Sequence, residues 1–164
     1  MVMVQAQKVR TCLWFDNNAE EAVTHYLNIF DDSKILEVTR RESDGNGEGK
    51  KAPVLAITFQ LHGHDLMALN GGPQFKLTEA VSLAVTCRTQ EEVDLLWEDL
   101  SEGGEEGQCG WLKDKFGLSW QIIPAALIEM LRDKNPEKSR RVMEAMLQMH
   151  KIDVAKLKQA YDGK

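Results

Sequence analysis

The 164-residue chain predicts an α+β fold: two strand–helix–strands units followed by a helical tail. Three observations predict it. The chain repeats itself weakly at an offset of 71 positions. Thr11 then falls on Ser82, Asn18 on Thr89, Glu20-Glu21 on Glu91-Glu92 and Tyr26 on Trp97. Within each copy a stretch of two-residue alternation gives way to apolar residues at helical spacing, and then to alternation again. After Pro124 the alternation stops and only helical spacing remains.

In the first copy, Lys8–Phe15 alternates and is rich in strand formers. Val9, Thr11, Leu13 and Phe15 share one face, and Arg10, Cys12 and Trp14 the other. Asn17-Asn18 stops this strand. Asn18 is a good helix cap, with Glu21 three residues on in the capping-box position. Ala19, Ala22, Val23, Tyr26, Leu27 and Phe30 give the following helix one apolar stripe. Lys34–Arg40 reads as a strand. Glu42–Pro53 carries Gly45, Gly47 and Gly49, but strand-like Val54–Leu61 follows it rather than a helix. It is therefore a hairpin loop and not a phosphate cradle. Val54–Leu61 and Asp65–Leu69 read as strands joined at His62-Gly63-His64. Those two histidines straddle a turn with no third ligand near in sequence, so an exposed turn is expected. Asn70-Gly71-Gly72-Pro73 breaks the chain.

In the second copy, Val81–Cys87 is a strand and Thr89 caps a helix with Glu92 in the box position. Val93, Leu96, Trp97 and Leu100 line one side of that helix, and Gly103-Gly104 ends it. A hairpin follows, with strands at Gly107–Leu112 and Ser119–Ile123 around a turn at Asp114–Gly117. Asp114 is expected to make that turn through its side chain. Gln121 stands between Trp120 and Ile122, so it points to the face opposite theirs. In the tail, helices are expected over Ala125–Arg132, over Glu137–His150 after the break at Asn135-Pro136, and after a cap at Asp153. Met143, Met146 and Met149 read as adaptable packing rather than thioether ligands.

Length and composition fit one domain over residues 1–164, with modules at about 7–70 and 80–124 and a tail at 125–164. A net charge of −6 argues against a nucleic-acid partner. The longest apolar run falls short of a membrane span, and the N-terminus lacks the pattern of a signal peptide. Cys12, Cys87 and Cys109 form no paired spacing and read as free buried thiols in a reducing cytoplasm.

Three stretches carry a resemblance: LWFDNNAEEAVTHY from Leu13, MALNGGPQF from Met67, and the segment Val81–Pro124. RRVMEAMLQMHKIDVAKLKQAY from Arg140 extends it into the tail. They resemble the PhnB-like family, also labelled "3-demethylubiquinone-9 3-methyltransferase domain", of the glyoxalase/bleomycin-resistance (vicinal oxygen chelate) superfamily. The resemblance implies paired βαβββ modules of the glyoxalase/bleomycin-resistance/dihydroxybiphenyl dioxygenase type, usually in a homodimer. It also implies a cleft where His, Gln and Glu hold a divalent metal. Carried onto this chain, those ligand positions fall on Thr11, Ser82, Met67 or Ala68, and Gln121. Hydroxyls and a neutral amide make a poor site for a catalytic divalent ion, so no metal and no other cofactor is expected.

The expected function is therefore binding of a small organic molecule in a metal-poor cleft. Leu13, Phe15 and Trp111 would be its apolar walls, and Thr11, Ser82 and Gln121 its polar anchors. The alternatives are a metal-dependent enzyme of the glyoxalase type, an isomerase or thiol transferase, and the methyltransferase of the family label. The methyltransferase reading lacks a glycine-rich strand-to-helix turn. No catalytic residue is assigned. Cys109 and His25 are the candidates for an enzyme, with inert packing the simpler role for each.

Overall fold

The structure, a computed structural model, describes residues 9–41 and 52–164. The chain divides into two units, Met1–Leu77 and Thr78–Lys164. The predicted glycine-rich loop lies outside the described residues from Glu42 to Lys51, as does Lys8 at the head of the first predicted strand.

In the first unit the alternating segment forms β1 (Thr11–Phe15) and the striped segment forms α1 (Ala19–Ile29). β2 (Ser33–Arg40), β3 (Val54–Leu61) and β4 (His64–Asn70) complete a sheet of order β1-β4-β3-β2. β1 runs parallel to β4, and the other pairs are antiparallel. The register sets Leu13 beside Ala68, Thr11 beside Leu66, and Phe59 beside Leu66 on one face. α1 covers that face with Ala19, Ala22, Val23 and Tyr26, all fully buried. Tyr26 stacks on Phe59 with ring centroids 6.4 Å apart. Removing an aromatic side chain of that size from water contributes about 1.5–3 kcal/mol.

The start of α1 departs from expectation. Asn18 supplies its carbonyl to the Ala22 N–H at 3.0 Å, but its side chain makes no capping bond. Asn70 caps the helix instead. Its Oδ1 accepts from the Ala19 N–H at 2.9 Å, and its Nδ2 donates to the Val54 carbonyl at 3.1 Å. Parallel pairing explains this, because it sets Asn70 opposite Phe15, where the chain leaves β1 for the helix. Asn70 thus belongs to β4 rather than to the break after it. On the other face Trp14 donates its indole N–H to the Gly72 carbonyl at 2.8 Å. A Cβ at Gly71 would lie 2.3 Å from that ring, so only glycine fits there.

The second unit repeats the plan. β5 (Ser82–Cys87) and α2 (Gln90–Ser101) each begin 71 residues after β1 and α1. β6 (Glu105–Glu106), β7 (Trp111–Lys113) and β8 (Ser119–Pro124) give the order β5-β8-β7-β6, the same as in the first sheet. The predicted Thr89 cap is present: Thr89 Oγ1 accepts from the Glu92 N–H at 3.2 Å. Glu92 Oε2 in turn accepts from the Arg88 N–H at 2.6 Å. Val93, Trp97 and Leu100 of α2 are buried, as are Leu112, Trp120 and Ile122 on one face of the sheet.

The strand predicted over Gly107–Leu112 is shorter than expected. Residues 107–110 form a loop, with Cys109 at φ 58° and Gly110 at φ 82°, and β7 begins only at Trp111. The amides of Cys109 and Gly110 are drawn away from any strand neighbour. They donate to the carbonyls of Met149 and His150 at 2.7 and 2.8 Å.

The tail forms α3 (Ala125–Leu131), α4 (Pro136–Met146) and α5 (Val154–Asp162). Asn135 Oδ1 caps α4, and Asp153 Oδ1 caps α5 by accepting from the Lys156 N–H at 3.0 Å. Leu127, Met130, Val142, Ile152 and Leu157 make the tail's core, with Met146 and Met149 packed at its margin. Met143 is exposed and takes no part. Among the described residues no helix is long and apolar enough to cross a membrane.

Candidate functional site

The turn before β8 builds the site's frame. Asp114 is buried, and its Oδ1 accepts from the Phe116 and Leu118 N–H groups at 2.9 and 3.0 Å. Its Oδ2 accepts from the Trp120 indole at 2.9 Å. One carboxylate therefore closes the turn, as predicted, and also fixes Trp120 on the helix-covered face. Two-residue alternation then sends Ser119 and Gln121 to the opposite face.

The register assembles that opposite face in two rows. Trp111, Gln121 and Ala84 lie side by side, and next to them Lys113, Ser119 and Ser82. Gln121 Nε2 donates to Ser82 Oγ at 2.9 Å across the β5–β8 pair. Lys113 Nζ meets Glu79 Oε1, just ahead of β5, at 2.5 Å. That hydrogen bond lowers the carboxyl pKa of Glu79 and raises the ammonium pKa of Lys113, so both stay charged. Ser119 is 1% exposed, and its hydroxyl has no hydrogen-bond partner among the described residues. α2 packs on the other side, while Ala84 and Thr86 on this side are exposed.

The structure thus brings together three of the six predicted residues: Ser82, Trp111 and Gln121. The other three go elsewhere. Leu13 and Phe15 are 2% and 3% exposed on the face that α1 covers, and Thr11 shares that face. This corrects Leu13 and Phe15 as cleft walls. The physical reason is the pleat: the residues that alternate into the core cannot also line an open face. On β1 the open-face side chains are Cys12 and Trp14.

Lys113, Ser119 and Glu79 went unread in the sequence. The same alternation that singled out Gln121 would have found Ser119 two residues before it, and Lys113 two residues after Trp111.

The cysteines are free, but only Cys87 is buried; Cys12 is exposed and Cys109 partly so, which corrects the expectation of three buried thiols. Burial, and secondarily the Glu92 charge, pushes the Cys87 thiol up to about 11. Partial burial raises that of Cys12. His25 lies on α1 with its ring 5.9 Å from that of Tyr26. His62 and His64 are exposed at a two-residue turn with φ 44° and 78° at His62 and Gly63.

The donor set does not fit the divalent metal that the fold family implies. The face offers hydroxyls, an amide, an ammonium, an indole and one carboxylate, that of Glu79, which Lys113 already holds. Among the described residues no three His, Cys, Asp or Glu side chains converge. A separate concavity of about 390 Å³ lies in the tail, lined by Ala126, Met130, Tyr161, Glu129, Lys158 and Asp162. It holds none of the predicted residues.

A family model described as 3-demethylubiquinone-9 3-methyltransferase matches residues 7–123. A PhnB protein of Bacillus cereus, carrying the same methyltransferase label, is 38% identical. It covers 73% of this chain and 100% of its own, with a TM-score of 0.63. A protein of Pseudomonas aeruginosa is 18% identical over 73% of this chain and 98% of its own, with a TM-score of 0.59. The fosfomycin resistance protein FosX of Listeria monocytogenes, in a structure with Mn(II) and sulfate, is 16% identical. It covers 79% of this chain and 98% of its own, with a TM-score of 0.53. The last two likenesses are likenesses of fold. Among curated proteins, none matches.

Proposed function

We propose, from the premise that the chain belongs to the 3-demethylubiquinone-9 3-methyltransferase family and, like PhnB and FosX, to the glyoxalase/bleomycin-resistance superfamily, that it binds a small organic molecule without a metal. The binding surface is the open face of the second sheet. Trp111 is its apolar wall, and Ser82 and Gln121 are its polar anchors.

The observation that carries this reading is the Gln121–Ser82 hydrogen bond of 2.9 Å. The positions where the superfamily resemblance expects metal ligands hold two neutral groups bonded to each other. An amide and a hydroxyl orient a polar organic group well and hold a divalent ion poorly. Methyl transfer is not part of the proposal. The strand-to-helix turns, Asp16-Asn17-Asn18 and Arg88-Thr89, contain no glycine to admit a nucleotide-bearing cofactor.

The proposal includes a homodimer in a reducing cytoplasm. Superfamily members are typically dimers, and the edge strand β2 exposes Ile35, Leu36 and Val38. Free thiols suit that compartment.

The test combines elemental analysis of untagged protein with a metabolite screen by thermal shift. A molecule at 100 times its Kd stabilises the folded state by about 2.7 kcal/mol. The expected result is no stoichiometric metal, and at least one organic molecule that stabilises the wild type and not Gln121→Ala. Stoichiometric metal with a matching rise in Tm refutes the proposal. Light scattering on the same sample reads the dimer.

A further inference from the structure

We propose that the open face of the second sheet carries an anion subsite, in which a carboxylate of the bound molecule sits between Lys113 Nζ and Ser119 Oγ and takes the place of the Glu79 side chain. The inference rests on the reading of this face as a binding surface and names the class of molecule it takes.

Two independent observations point to it. The Ser119 hydroxyl is 1% exposed and has no hydrogen-bond partner among the described residues. A buried hydroxyl in that state is completed from outside the chain, by a water or by a bound group. The register then puts Lys113 and Ser82 on either side of Ser119 on the same face. Ser82 already accepts from Gln121 and keeps its own proton to donate. Ser82, Ser119 and Lys113 therefore set three donors along one row of the face, and the acceptor of Lys113 comes from Glu79.

Glu79 is suited to leaving. Its side chain is 64% exposed, against 30% for Lys113. It lies in the turn just before β5 rather than in the sheet. A carboxylate on a bound molecule is its chemical equal and brings an apolar body for Trp111 to cover. The charge count favours a monoanion over a phosphate: Glu105 stands opposite Lys113 on β6, so the single ammonium already shares its field with another acid.

The probes are benzoate, phenylacetate and 3-phenylpropionate, each titrated against its own amide at constant ionic strength. The readout is the Trp111 indole N–H signal, assigned with Trp111→Phe. The expected result is that at least one acid binds about ten-fold or more tightly than its amide, the margin of a charge-assisted hydrogen bond. Glu79→Gln tightens the acid and leaves the amide unchanged. Lys113→Gln removes the preference, and Lys113→Arg keeps it. Equal binding of acid and amide, an acid affinity indifferent to Glu79→Gln, or no response to any of the six probes overturns the subsite. If acid and amide bind equally and Gln121→Ala weakens both, the face remains a binding surface and only the anion subsite falls.

Discussion

Replacing Asp114 tests whether one carboxylate holds the second unit's hairpin together. Asp114→Ala removes the acceptor of three donors: the Phe116 and Leu118 N–H groups and the Trp120 indole. Phe116 is partly exposed, so water can take over its bond. Leu118 and Trp120 are buried and cannot be reached. An orphaned buried donor costs about 1–3 kcal/mol, so two of them destabilise the second unit by about 4 kcal/mol. Asp114→Asn keeps Oδ1 for the turn and turns an NH₂ group toward the indole N–H. It loses one buried bond, at about 2 kcal/mol. Urea unfolding followed by far-UV circular dichroism reads both, a 2 kcal/mol loss moving the midpoint by roughly 1 M. In a Trp120→Phe background the indole donor is gone, and the Asn penalty shrinks by about 1–2 kcal/mol, the coupling expected of directly bonded groups. An Asp114→Asn protein within about 0.5 kcal/mol of wild type, or an Asn penalty equal in both backgrounds, refutes the reasoning.

Two further outcomes follow from buried polar groups. Asn70→Ala uncaps α1 and orphans the Val54 carbonyl, lowering the first unit's stability by about 2–4 kcal/mol. Asn70→Asp keeps an acceptor for Ala19 but turns a buried carboxylate oxygen on the Val54 carbonyl, so its urea midpoint also falls well below that of the wild type. Cys87 gives a pH dependence. Its folded value of about 11 lies above the ordinary thiol value, so the folded state holds the proton longer than the unfolded one. Its contribution is present in full below pH 9 and is lost as pH rises toward 11, by roughly 2–3 kcal/mol. Cys87→Ala flattens the stability profile over that window, and a slope unchanged by the substitution contradicts the assignment.

Most of the fold was legible because the two copies constrain each other. The offset that laid Tyr26 on Trp97 also laid the start of α1 on the start of α2. Both of those aromatic residues proved buried under their own sheets. What the sequence hid depends on partners distant along the chain. Asn18 has every local mark of a cap, yet Asn70, fifty-one residues from Ala19, does the capping. The strand expected over Gly107–Leu112 fails in its first four residues, where the carbonyls of Met149 and His150 claim the Cys109 and Gly110 amides. On the open face, alternation was sound within β8 and identified Gln121. On β1 the apolar side chains Leu13 and Phe15 were assigned to a cleft when their apolarity marked them for the core.

The way the tail is fastened has a consequence of its own. Cys109 and Gly110 reach carbonyls of Met149 and His150, and the Gln90 amide spans the Ile152 carbonyl and the Val154 N–H at 3.0 and 2.8 Å. All four bonds read main chain on the tail's side. Side chains add to them: the His150 ring meets the Gly107 carbonyl at 2.8 Å and Gln108 Nε2 at 3.0 Å, and Lys151 Nζ meets Asp94 Oδ1 at 2.7 Å. The main-chain bonds measure how many residues run from Met149 to Val154 and along what path, while His150 and Lys151 tie the same span to particular side chains. In a tail that lies beyond the family-matched residues 7–123, one residue added or lost between Met149 and Val154 would therefore put every one of these bonds out of step.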